Sequence, residues 1–140
     1  MKSQKLAVVL AAALAVTLLA TGAASAGEAT PAPSAEAIRH GGDTFLRYCA
    51  LCHGIDGSGL GPLSDALQKA PPDLTQISKR NGGTFPTEKI KNIIANGGMR
   101  SHGMMAMLAW GKVFNEEIGK DKQPEVIANL ASYIETLQGR

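Results

Sequence analysis

The sequence is poor in the residues that usually fill or cross-link a small core. It contains two cysteines, so no third or fourth thiol can complete a four-cysteine zinc site. Aromatic residues make up 4% of the 140 positions, and a domain of this length buries only a modest core. The chain therefore needs another source of apolar volume. After Leu6–Ala20, no apolar stretch is long enough to cross a membrane.

The charges nearly cancel, which argues against nucleic-acid binding. The net charge is +2, and loss of Lys2 and Lys5 with an N-terminal segment brings it to zero. One stretch, from Lys79 to Lys112, is nonetheless basic and contains a single acid, Glu88. Its basic residues are Lys79, Arg80, Lys89, Lys91, Arg100 and Lys112. This basic stretch predicts attraction to an acidic partner, with a merely solvated face as the alternative.

The N-terminus has the pattern of a secretory signal peptide. Lys2 and Lys5 precede the apolar run, and Ala24-Ser25-Ala26 supplies small residues at a cleavage site. We expect cleavage after Ala26, which removes residues 1–26 and delivers the protein to the periplasm. An uncleaved anchor is the alternative, but the run of about 15 residues is shorter than the ~20 that span a bilayer.

The remaining chain predicts an all-α fold. Residues 27–34 read as a flexible lead-in, and one domain without internal repeats covers residues 35–140. No alternating pattern indicates a strand, whereas apolar spacing and capping residues predict helices over 35–52, 63–68, 86–96 and 124–138. Gly41 and Gly42 lie inside the first helix and predict a close approach by another element. The alternative is a helix that begins only at Asp43.

The most informative motif is Cys49-Ala50-Leu51-Cys52-His53, which has the Cys-x-x-Cys-His spacing of c-type haem attachment. Thiols three positions apart lie on one helix face, where each can form a thioether with a haem vinyl group. His53 then supplies an imidazole nitrogen to the iron. One covalent haem would also provide the missing core volume.

Three other interpretations of this motif use its residues less well. A zinc site needs four ligands, and only His40 and His102 remain as further histidines. A thioredoxin-like redox pair requires a strand before the helix, and no strand pattern precedes Cys49. A structural disulfide leaves His53 without a role. Haem attachment is favoured because it uses all three residues.

The second axial ligand of the iron is expected in the segment from Met99 to Trp110. A thioether sulfur on the iron raises the reduction potential, which suits an electron carrier. Filling of gaps in the core is the ordinary role of methionine and is the alternative. The candidate ligands in this segment are Met99, His102, Met104, Met105 and Met107.

From about Gly41 to Leu137, the chain resembles a class I cytochrome c of the small soluble bacterial type. That family commonly carries its axial methionine in Met-Pro-x-Trp-Gly, and residues 107–111 match it at Met107, Trp110 and Gly111, with Leu108 in place of proline. The resemblance implies four to five helices around one haem and Met107 as the axial ligand. Met104, Met105 and His102 are the alternative axial ligands.

The resemblance also assigns supporting residues. It implies that the carbonyl of Pro72 accepts a hydrogen bond from His53 and that the indole of Trp110 reaches a haem propionate. It further implies contacts between the first and last helices. The residues concerned are Gly41, Phe45, Leu130 and Tyr133.

These features predict an electron-transfer protein that works between periplasmic or membrane-associated redox partners. The sequence offers no nucleophile or acid–base pair, so we expect no enzyme activity. One alternative is a haem protein with an open or labile sixth site for a gas or peroxide, near His102. The other is a haem subunit of a larger oxidase or dehydrogenase.

Overall fold

The computed structural model describes residues 32–67, 69–98 and 107–139. Within these ranges the secondary structure is helical and no strand occurs, which confirms the predicted all-α fold. The α-helices are α1 (Ala35–Tyr48), α2 (Ala50–His53), α3 (Ile77–Arg80), α4 (Thr87–Asn96), α5 (Trp110–Ile118) and α6 (Gln123–Thr136). Short 3₁₀ turns occupy Ser64–Ala66 and Leu74–Gln76. None of the helices in these ranges has the length and apolar character of a bilayer span.

Several expectations lie outside the described residues. They are the predicted signal peptide over residues 1–26 and the candidate ligands Met99, His102, Met104 and Met105.

Helix α1 begins where the sequence predicts. The hydroxyl oxygen of Ser34 accepts a hydrogen bond from the backbone N–H of Ala37 at 3.1 Å, which caps the first turn. The helix continues through both glycines, so the alternative start at Asp43 is wrong. It ends at Tyr48, and Cys49 (φ −113°) separates it from α2, so residues 35–52 do not form one continuous helix.

The later helices agree with the sequence in part. The predictions for residues 86–96 and 124–138 are confirmed within two residues by α4 and α6. For the helix predicted over residues 63–68, the described part, 63–67, contains only the 3₁₀ turn Ser64–Ala66. Helix α5 was not among the predicted helices, although Trp110, Val113 and Phe114 have helical spacing.

The packing of α1 against α6 forms the centre of the domain. A Cβ placed on Gly41 would lie 2.0 Å from the carbonyl oxygen of Asn129 and 2.8 Å from Cβ of Tyr133, so only glycine permits this approach. The rings of Phe45 and Tyr133 are 5.3 Å apart between centroids, and Phe45 and Leu130 are both fully buried. The predicted contact between the first and last helices is confirmed.

Candidate haem-binding site

The Cys-x-x-Cys-His motif occupies the bend between α1 and the short helix α2. The backbone N–H of Cys49 donates to the carbonyl of Phe45 at 2.9 Å, and the N–H of His53 donates to the carbonyl of Cys49 at 2.9 Å. Cys49 is buried and Cys52 is partly exposed, and no disulfide joins them. The two hydrogen bonds hold the motif against the buried end of α1.

The state of the thiols argues against redox exchange. Burial, with a smaller contribution from Cys52, raises the pKa of Cys49 to about 12. Cysteines that exchange disulfides have a lowered pKa, because the thiolate is the nucleophile. Among the residues that the structure describes, no three His, Cys, Asp or Glu side chains gather into a metal-ion site. Neither a thioredoxin-like pair nor a zinc site is favoured by this arrangement.

The His53 side chain is 8% exposed, and its Nδ1 has no hydrogen-bond partner within the described ranges. Burial lowers the pKa of His53, and the backbone of Pro72 opposes this by raising the pKa to a smaller extent. The backbone of Pro72 thus acts on the His53 ring, as the resemblance implies, although Nδ1 makes no hydrogen bond with full geometry. A buried, neutral imidazole is the form that ligates a metal.

His53 lines an apolar cleft with a volume of about 50 Å³. Its lining comes from five segments that are separated in the sequence. The lining residues are Phe45, Cys49, His53, Leu74, Ile77, Ile90, Ile93, Ile94, Met107, Leu130 and Ile134. Thiol, imidazole and thioether groups in an apolar wall fit a haem, which offers apolar edges and an iron that takes nitrogen and sulfur ligands.

Met107 lines this cleft, and its backbone is held by the two glycines that follow α4. The N–H of Gly98 donates to the carbonyl of Met107 at 3.3 Å. Gly97 ends α4 with φ +84°, and a Cβ there would lie 2.7 Å from the same carbonyl oxygen. The close approach and the positive φ both require glycine at this position.

Trp110 and Pro72, the two predicted supporting residues, are not among the residues that line the cleft. The ring of Trp110 packs on Tyr48 and Phe114, with centroids 5.4 Å and 5.9 Å away. Pro72 is exposed beside the His53 loop.

The sequence analysis missed most of the cleft wall. Three isoleucines of α4 (Ile90, Ile93 and Ile94) line the cleft together with Leu74 and Ile77. The helical spacing of the three isoleucines predicts an apolar face, but spacing alone does not say which group that face covers.

Residues 36–134 match the family model described as cytochrome C oxidase, cbb3-type, subunit III. The matched span covers most of the chain. It includes the Cys-x-x-Cys-His motif, Met107 and every residue that lines the cleft.

Proposed function

Because this chain belongs to that family of cytochrome c domains and binds a covalently attached c-type haem with its iron, we propose that it is a soluble carrier of single electrons between redox proteins. Electron transfer through haem is the function that the family indicates. The observation that carries the finer proposal is that His53 and Met107 line one apolar cleft.

Each residue of the site then has a distinct role. Cys49 and Cys52 would hold the cofactor by two thioether bonds, and His53 and Met107 would be the protein ligands of its iron. The bound haem supplies a reversible one-electron change at its iron. The isoleucines of α4 keep water from the cleft, and a thioether ligand favours the reduced state. With His53 and Met107 as its ligands, the iron would be closed to substrates.

Met107→Ala is expected to open the sixth position of the iron. The reduced variant should bind carbon monoxide rapidly, and its reduction potential should fall, because a thioether ligand raises the potential. Optical spectra and a redox titration measure both effects. Met104→Leu and Met105→Leu are the matched controls and should behave like the wild type. An open site in either control, with Met107→Ala unchanged, would assign the ligand to that control position.

A second candidate function is that of a haem subunit in a larger oxidase. The description of the matching family model, which concerns an oxidase subunit, favours it. Purification of the tagged protein from native membranes and soluble extracts separates the two functions. A carrier is recovered without a stoichiometric partner, whereas a subunit is recovered with one.

The basic stretch from Lys79 to Lys112 supports docking to an acidic partner. Lys89 is exposed on α4, and Lys91 lies 2.8 Å from Glu88 on the same helix. Long-range attraction by such charges accelerates association at low ionic strength.

Replacement of Lys89 and Lys91 by glutamate is therefore expected to slow reduction by an acidic partner about tenfold or more at low salt. The effect should shrink as salt is added, since counterions screen the charges. Stopped-flow kinetics measure it. The exposed Lys120 and Lys122, each replaced by glutamate, provide a control with the same charge change. Equal rates in the wild type and the Lys89/Lys91 variant would contradict docking through the basic stretch.

If the wild type and the Lys89/Lys91 variant react at equal rates, we expect the partner to contact instead the aliphatic surface of the haem-attachment loop, residues 51–63. Four side chains there are 41–78% exposed, and Leu63 N–H donates to the Leu51 carbonyl at 3.0 Å, which folds the loop back on α2. The exposed side chains are Leu51, Ile55, Leu60 and Leu63.

The proposal includes export to the periplasm with cleavage after Ala26. The charged start, the apolar run and the small residues at 24–26 support it.

A further inference from the structure

Tyr48 connects the haem-attachment end of α1 with α5. It is the last residue of α1 and directly precedes Cys49. Its hydroxyl donates a hydrogen bond to Oε2 of Glu117 at 2.5 Å, across 69 positions of sequence. A short O–H···O⁻ bond to a carboxylate is stronger than a bond between neutral groups. The hydrogen bond to Glu117 is also the main reason that the pKa of Tyr48 is raised.

The Tyr48 ring strengthens the same connection by packing. It meets Trp110 edge-on, with 5.4 Å between centroids, and Phe114 edge-on at 5.3 Å. The guanidinium carbon of Arg47 lies 5.2 Å from the Tyr48 ring centroid. Edge-to-face contacts are the arrangement that aromatic pairs prefer. The ring therefore has a defined position even before its hydroxyl reaches Glu117.

Helix α5 in turn fixes one end of the short segment that carries Met107. Trp110 is the first residue of α5 and lies three positions after Met107. On the other side, Gly98, two residues beyond the last residue of α4, donates to the Met107 carbonyl at 3.3 Å. The backbone of Met107 is thus held between two helices, and Tyr48 anchors the second of them to the residue before Cys49.

We propose that Tyr48 is a positioning residue that, through Glu117 and Trp110, keeps α5 and Met107 in place for axial ligation of the iron. This inference rests on the proposed ligation by Met107. Groups that hydrogen-bond directly to a metal ligand change metal binding or activity by about 10- to 100-fold when they are replaced, and Tyr48, one contact further away, should act at the lower end of that range. Tyr48 would position Met107 from outside the cleft, because Tyr48 is not among the residues that line the cleft.

Haem-loaded Tyr48→Phe tests this inference, since it keeps the ring and removes the hydroxyl. We expect carbon monoxide to bind the reduced variant about tenfold faster than the wild type, because Met107 leaves the iron more often. Glu117→Gln retains an acceptor but loses the charge, so its rate should fall between those of the wild type and Tyr48→Phe. Glu116→Gln changes an exposed neighbouring carboxylate and should bind carbon monoxide at the wild-type rate.

Rates are measured well below the unfolding temperature of each variant, so that a loss of stability alone does not alter them. Wild-type rates in both Tyr48→Phe and Glu117→Gln, with a rapid rate in Met107→Ala, would overturn the role of Tyr48 and leave the ligation standing. A wild-type rate in Met107→Ala would overturn the ligation itself, and the inference with it.

Discussion

Gly41→Ala is expected to lower the free energy of unfolding by about 3 kcal/mol or more, at the upper end of the cost of overpacking. The added Cβ would lie 2.0 Å from the carbonyl oxygen of Asn129 and 2.6 Å from its carbonyl carbon. Both are backbone atoms inside α6, so no side-chain rotation can relieve the clash. The two central helices would have to separate, which would expose Phe45 and Leu130.

Gly42→Ala provides the matched control for this prediction. Its Cβ would lie 3.1 Å and 3.2 Å from two ring carbons of Tyr133, so the ring would have to shift by only a few tenths of an ångström. Alanine also gains about 1 kcal/mol of helix propensity over glycine. Denaturant unfolding of the haem-loaded proteins should place Gly42→Ala within about 1 kcal/mol of the wild type. Equal gains of about 1 kcal/mol in the two variants would show that helix propensity, and not the contact with α6, governs this site.

Replacement of both cysteines, Cys49→Ala with Cys52→Ala, is expected to abolish covalent haem attachment and to destabilise the fold strongly. The walls of the cleft are almost entirely apolar, and without a retained cofactor they face water. A group that binds only the folded chain stabilises it, so loss of the cofactor lowers the unfolding temperature. Each single variant keeps one thiol and should retain haem through one thioether.

Haem staining after denaturing electrophoresis reads out attachment whether or not the double variant folds. The wild type and both single variants should stain, and the double variant should not. Thermal unfolding followed by circular dichroism reads out stability. Covalent haem in the double variant would contradict attachment through Cys49 and Cys52.

The parts of the fold that the sequence predicted well are those with local signals. Ser34 caps α1, Pro124 lies in the first turn of α6, and Gly97 ends α4 with a positive φ. Helix α5 has no comparable start signal, because Ala109 at its N-cap makes no side-chain hydrogen bond. The break at Cys49 was missed because neither glycine nor proline marks it.

The residues of the site also differ in how far a local pattern predicts them. Cys49, Cys52 and His53 were identified together because the motif is contiguous. Met107, more than 50 positions away, was one of five candidate ligands, and only the resemblance to class I cytochromes c singled it out. The hydrogen bond between Tyr48 and Glu117 joins residues 69 positions apart. No local pattern predicts it, and the sequence analysis gave Glu117 no partner.

In the proposed function, His53 and Met107 both ligate the iron of a haem that only exchanges electrons. The most direct test is the optical spectrum of the reduced, haem-loaded protein before and after addition of carbon monoxide. We predict that the spectrum stays unchanged over the time in which Met107→Ala converts fully. Rapid and complete binding by the wild type would contradict ligation of the iron by Met107. It would mean an open or labile sixth position and would favour a gas-binding or peroxidase-like function.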